Sequence, residues 1–253
     1  KRGNKNYLWF CKINGYRGKR IMKKKRSKRF NKLLESLKNK KGETIEEAIK
    51  KVKKNCTVKF DESIDVAINL NLKQKKEEVS LRTSVNLPNG NGKKIKVAVL
   101  CEENKIQEAI ESGADLTGTD KIVNDIIAGK IKFDKLVSTP AMMSKMGKLG
   151  KILGPKGLMP NPKLGTVTNN IKSIVKSLKS GQIEIKNDKD GNVAASIGKK
   201  SFSDIKIKEN YDSFLKTIMK EKPKGIKGNF IISAFLTSTM GISYKLKLDK
   251  QPS

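Results

Sequence analysis

The chain contains no histidine. The one side chain that titrates near neutrality is therefore missing, and a general base at pH 7 would need a strongly shifted carboxylate or lysine. The commonest zinc ligand is missing with it. Cys11, Cys56 and Cys101 are widely separated, odd in number and form no CxxC, so neither a zinc site nor a disulfide framework is indicated. Long apolar runs are also lacking, and none approaches the roughly 18 residues of a spanning helix. Acidic residues are scarce, at 25 against 56 lysines and arginines, and none occurs between Asp134 and Glu184. A net charge of +31 and a pI near 10.0 point to a polyanionic partner, with membrane surfaces and acidic proteins as the other attractors. Arginine is rare too, six of the 56 basic residues, the last being Arg82. Lysine neutralises phosphate as a point charge, whereas arginine adds bidentate geometry, so the attraction here is mainly electrostatic.

At 253 residues the chain is long enough for a large core or two small ones. Leu33, Leu34 and Leu37 stripe a first helix, and the capping box Thr44-Ile-Glu-Glu47 opens a second with Ile45, Ala48, Ile49 and Val52 on one face. Residues 63–72 alternate with a period of two, as do Val79, Leu81, Val85 and Leu87. Both read as half-buried strands, consistent with an antiparallel pair. Leu87-Pro-Asn-Gly-Asn-Gly92 ends that style. From Ile95 short apolar strands alternate with helices, the signature of parallel βαβ units. After Gly165 come an amphipathic helix (Ile171, Ile174, Val175, Leu178), a hairpin around Asp188-Lys-Asp-Gly191, a helix striped by Tyr211, Phe214, Leu215 and Ile218, and two closing strands. The expected class is α/β with two domains: a split two-layer α+β domain, residues 31–87 plus 163–253, and a three-layer α/β, Rossmann-like domain, residues 88–162, inserted in it. Residues 1–30 form a basic N-terminal extension. Crossings near Pro88 and Pro162 would make a double-stranded hinge.

Catalytic patterns are weak. Gly113-Ala-Asp-Leu-Thr-Gly118 has phosphate-loop glycine spacing, but Thr119 stands where the essential lysine belongs. Asp61-Glu62 and Glu102-Glu103 are acidic pairs without a partner that sequence identifies. No enzyme activity, cofactor or metal is expected. A nucleotide-using RNA-modifying enzyme is the alternative a bound nucleotide or turnover would reveal.

The stretch Gly147–Gly165, GKLGKILGPKGLMPNPKLG, is the strongest signal in the chain. Its glycines and prolines argue against a helix interior or a central strand. The expectation is a shaped, mostly extended strap bearing Lys148, Lys151, Lys156, Gly157, Met159, Pro160, Asn161, Pro162 and Lys163. It is either an ordinary surface loop or a crossing between domains that faces a polyanion. The wording GPKGLMPNPK closely resembles the signature of the L-one family of large-subunit ribosomal proteins, and the likeness runs from about Met22 to about Leu248.

That resemblance implies a monomer on the ribosome, bound to large-subunit ribosomal RNA at the mobile lateral stalk and assisting release of deacylated tRNA from the exit site. Family members also repress translation by binding their own mRNA, which is the second functional reading. It implies RNA contacts for Lys59, Phe60, Ser63 and Asp65, for Gly198, Lys199 and Ser201, and for Thr237, Thr239, Met240 and Gly241. From burial statistics alone Phe60 reads as a core aromatic, and Thr239-Met-Gly241 as a bulge with Met240 filling the core. Thr239→Val is expected to weaken RNA binding while leaving stability nearly unmoved. Ala194 stands where the family often has histidine, and Thr83 where it often has glycine. Met22-Lys-Lys-Lys-Arg-Ser-Lys-Arg-Phe30 resembles a bacterial family start, so residues 1–21 read either as an organelle-import leader or as a basic RNA-touching tail. Localisation in a plastid-type organelle is the preferred expectation, with a mitochondrion or the bacterial cytoplasm as alternatives.

Overall fold

A computed structural model describes residues 27–36, 42–72, 81–128, 131–188, 190–223 and 228–248. Helix α1 spans Lys28–Ser36; Leu37, placed on its stripe by sequence, and the N-terminal residues 1–26 lie outside the described residues.

The antiparallel sheet has the order β7-β1-β8-β9, with β1 Ser63–Leu70, β7 Asn192–Lys199, β8 Ile231–Ser238 and β9 Tyr244–Lys245. β1 shows why the alternation matters. Ile64, Val66, Ile68 and Leu70 are fully buried, while Ser63, Asp65, Ala67 and Asn69 face the other way and are half-buried. At about 1.5–3 kcal/mol for each buried aliphatic side chain, this face fixes the register. Helices α2 (Ile45–Asn55) and α8 (Asp204–Lys220) cover it. Thr44 caps α2 by accepting the Glu47 N–H, and Ala48, Ile49 and Val52 are its buried stripe. Ser203 caps α8, which buries Ile207, Tyr211, Phe214 and Ile218.

A second pair, β2 (Arg82–Asn86) with β6 (Gln182–Lys186), stands beside this sheet. Two expectations are corrected here. Among the described residues the two alternating segments, 63–72 and 79–87, do not pair with each other, because β1 takes β7 and β8 as neighbours and β2 takes β6; Val79 lies outside the described residues. The hairpin expected around residues 188–191 is only a turn, since β6 and β7 leave it for different sheets after one bridge, Asn187 to Val193. A period of two identifies a face, but both partners of a central strand satisfy it equally.

The parallel sheet β4-β3-β5 comprises Leu116–Gly118, Val97–Leu100 and Lys135–Ser138. β3 is buried on both faces, as its unbroken apolar run requires. Ala98 and Leu100 face α4 (Asp120–Ile127), α5 (Met143–Met146) and α6 (Gly150–Lys156). Val97 and Val99 face α3 (Ile106–Glu111) and α7 (Ile171–Ser180). This is a three-layer α/β arrangement, and the α/β class of the chain stands.

Two features of the inserted part differ from the sequence reading. The Gly-Pro stretch is helical where extended chain was expected: α6 continues to Lys156 with Pro155 in its last turn, and Gly157 closes it in the left-handed region (φ 68°). Met146, Leu149 and Leu153 fall on one face and are buried against the sheet, which outweighs the helix-breaking residues. The second correction concerns Pro162. Beyond it the chain runs beside β5, with Ser138 N–H donating to Thr166 O and Thr168 N–H to Ser138 O, and α7 then packs on the parallel sheet. The two passages of the chain approach each other at Gly181. A side chain there would overlap the Cα of Gly90, so the two Cα atoms lie at about one residue's spacing, roughly 4 Å. Asn210, fully buried in α8, bolts the outward crossing by donating to Gly90 O (2.9 Å) and Ile197 O (2.7 Å) and accepting the Asn89 N–H (3.1 Å).

Candidate nucleic-acid interface

Three stretches far apart in sequence meet at one rim of the four-stranded sheet. Ser63 begins β1 opposite Lys199, which ends β7, and Ile64 stands opposite Ser238, which ends β8. The start of β1, the β7–α8 turn and the β8–β9 turn therefore share an edge. Hydrogen bonds fasten them. Thr239 N–H donates to Ser63 O and Ser63 N–H donates to Thr239 Oγ1, both at 3.1 Å. Met240 N–H donates to Glu62 Oε2 at 3.1 Å. Lys200 N–H donates to Glu62 O at 2.8 Å, and Ser201 gives Asp61 both its N–H (3.1 Å) and its hydroxyl (2.8 Å).

Asp61 and Glu62, which sequence reading left as an acidic pair without a partner, fasten this rim. Asp61 holds the β7–α8 turn and Glu62 the β8–β9 turn. Glu62 is fully buried, and among the described residues neither its Oε1 nor Ser238 Oγ has a hydrogen-bond partner. A buried carboxylate is costly, so this one marks a position where order is worth the cost. The available signal was an acidic dipeptide directly before an alternating strand in a chain of +31 charge. Beneath the rim, burial pushes the Cys56 thiol up, with Ser238, Glu62 and Lys200 around it. Lys200 Nζ donates to Cys56 O at 2.7 Å.

What the rim presents is a mixed surface. Phe60 is 52% exposed and Met240 47% exposed, so neither fills the core as their residue types alone suggested. Lys59 is exposed, while Ser63, Asp65, Lys199 and Thr237 are half-buried. Asp65 stands between Ser196 on β7 and Thr237 on β8. Cations for phosphate, exposed apolar faces for bases or riboses, and a carboxylate that accepts a 2′-hydroxyl are the chemistry of an RNA contact. Gly198 departs from expectation. It is buried, and an added Cβ would crowd the Phe202 ring at 3.1 Å, so its smallness serves packing. A side chain at Gly241 would meet the Ser238 hydroxyl, which would have to change rotamer to admit it.

The basic strap lies elsewhere, on the parallel-sheet unit. Lys151, Lys156, Pro162 and Lys163 are exposed, and Pro88 is exposed in the turn after β2. Met159 packs against the core and Pro160 is buried. Asn161 and Thr166 lock the loop: Asn161 N–H donates to Thr166 Oγ1 (2.7 Å), the Thr166 hydroxyl donates to Asn161 O (3.1 Å), and Asn161 Oδ1 accepts the Lys163 N–H (2.9 Å). Lys148 belongs to the single helical turn 147–149, its side chain lying outside the described residues. Among the described residues no helix is long and apolar enough to cross a membrane, and no cluster of acidic residues and cysteines is placed to hold a metal.

Residues 49–242 match the model of the ribosomal protein L1p/L10e family. The chain is 56% identical over 225 residues to the large ribosomal subunit protein uL1 of Pelagibacter ubique, covering 88% of this chain and 98% of that one. It is 46% identical over 224 residues to the uL1 protein of Prochlorococcus marinus strain NATL1A, covering 88% and 95%. With the uL1 protein of Rickettsia canadensis it shares 44% over 201 residues, covering 79% and 84%.

Proposed function

Because this chain belongs to the ribosomal protein L1p/L10e family, we propose that the rim built by residues 59–65, 199–201 and 237–241 binds large-subunit ribosomal RNA. The chain is a structural protein of the large subunit of a bacterial-type ribosome. The observation supporting the rim is the convergence of Phe60 and Met240, both about half exposed, with Lys59, Lys199, Asp65 and Thr237 at one edge of a fixed sheet. We place the RNA-binding domain at residues 31–87 plus 182–253 and the inserted domain at 88–181, with Gly90 and Gly181 as the crossing. On this reading the inserted domain, with its exposed strap lysines, sits on the mobile stalk and assists departure of deacylated tRNA, and the protein works without enzymatic turnover.

The test is reconstitution. Large subunits stripped of this protein are mixed with the purified chain and sedimented. Stoichiometric co-sedimentation is expected, and a chain that stays at the top of the gradient contradicts the assignment. Repression of its own message is the second role, read by comparing affinity for that mRNA leader with affinity for the ribosomal RNA. A plastid-type address follows only if residues 1–21, with any upstream segment, carry a reporter into that organelle. A cytosolic signal leaves the bacterial cytoplasm as the site of action.

A further inference from the structure

The rim is one edge of a sheet whose outer face no described helix covers, since the helices packed on the four strands, α2 and α8, lie on the buried side. Strand register arranges that outer face in rows. Next to the rim runs Ser196, Asp65 and Thr237, all polar. The row beyond crosses all four strands and reads Ala194, Ala67, Phe235 and Lys245. The third row returns to polar residues, Asn192, Asn69 and Ser233, with Asn69 Nδ2 donating to Asn192 Oδ1 at 2.7 Å.

Phe235 is thus a half-buried aromatic in an otherwise small and polar stretch of sheet. On one side its cross-strand neighbours are the two alanines, Ala67 and then Ala194. On the other stands exposed Lys245, an ammonium beside an aromatic ring. Phe235 lies two residues from Thr237 along β8, roughly 7 Å. A half-buried ring, a neighbouring exposed lysine and an adjoining row of hydroxyls and carboxylate are the elements of a stacking platform for an unpaired base. We propose that the row Ala194–Ala67–Phe235–Lys245 is a nucleobase-binding subsite, in which one unpaired base of the bound RNA stacks on Phe235 and its phosphate meets Lys245. This subsite rests on the proposed RNA-binding function of the rim and extends that surface from the sheet edge onto the sheet face.

The experiment titrates the full chain, Phe235→Leu and Phe235→Tyr with a transcript of bacterial large-subunit ribosomal RNA at several salt concentrations. Phe235→Leu keeps an apolar side chain of similar size but removes the ring. It is expected to lose about 5- to 50-fold in affinity with an unchanged salt slope, while Phe235→Tyr stays within about 2-fold. In parallel, the wild-type complex is crosslinked with short-wave ultraviolet light and the tryptic peptide 228–245 is sequenced, a readout that does not depend on any variant folding. A nucleotide adduct on Phe235 is expected. Wild-type affinity for a folded Phe235→Leu, or adducts confined to Phe60 and the 239–241 turn, overturns the subsite while leaving the rim in place. Absence of wild-type binding overturns the RNA reading itself, and the subsite with it.

Discussion

Glu62 offers the sharpest test of how the rim is built. Its carboxylate is fully buried and accepts the Met240 N–H at 3.1 Å. A hydrogen bond to a charged acceptor contributes about 1.5–3 kcal/mol, and a neutral one about 0.5–1.5 kcal/mol. Glu62→Ala removes the bond but also removes a costly buried charge, so the two effects oppose each other in global stability. They do not oppose each other in the turn, where the Met240 N–H loses its bond to Glu62. RNA binding must then order residues 239–241, and affinity should fall about 10- to 100-fold, the equivalent of that 1.5–3 kcal/mol. Glu62→Gln keeps a neutral acceptor and should recover most of the loss. Neither variant touches a phosphate contact, so the salt slope should not change. Filter binding gives the affinities, and amide exchange at Met240 reports the anchor directly. A Glu62→Ala protein whose Met240 amide exchanges faster yet binds RNA like wild type would refute the argument that turn order sets affinity.

Thr239→Val no longer separates binding from stability as sequence suggested, because Thr239 Oγ1 accepts the Ser63 N–H at 3.1 Å. It should cost about 0.5–1.5 kcal/mol in denaturant unfolding as well as weakening RNA binding, and Thr239→Ser should rescue both. Acid should weaken the inserted part through Asp115, whose carboxyl is held below its ordinary value of 3.8 by the Val97 N–H and then by Lys179. A lowered folded-state pKa gives stabilisation that is complete above 3.8 and lost as pH falls through the folded value. The melting-temperature gap between wild type and Asp115→Asn should therefore be constant at neutral pH and close in acid; a gap independent of pH would refute it. Gly198→Ala should lower the melting temperature by crowding Phe202 and leave the salt slope of RNA binding unchanged.

Much of this architecture is legible in residue patterns because burial dictates them. The stripes of α2, α7 and α8 and the alternation of β1 each match a buried face in the structure. Partner choice is less legible. Nothing in the period of β1 or β2 distinguishes β7, β8 or β6 as neighbours, which is why the expected pairing and hairpin differ from the sheets observed. The Gly-Pro stretch misled for a different reason. Local propensity opposed a helix, while Met146, Leu149 and Leu153 supplied the tertiary burial that decided the matter. At the rim, residue identity announced what faces outward but not what holds it. Asp61 and Glu62 act through backbone groups that the sequence brings close only after three strands have paired.

On the proposed reading the antiparallel unit carries the RNA affinity and the inserted unit does not. Residues 88–181 have 16 lysines against 8 acids, a charge of +8 in a chain of +31. The touching glycines supply the cut: removing residues 91–180 joins Gly90 to Gly181 across about one peptide spacing. Arg82 remains to pair with Glu184 at 2.7 Å when Lys135 is gone, so β2 and β6 keep their ion pair. The decisive measurement is the affinity of this deleted chain for large-subunit ribosomal RNA, with circular dichroism as the check on folding. Retention within about tenfold of the full chain, or about 1.4 kcal/mol, is expected. A folded deletion protein that loses most of its affinity would contradict it.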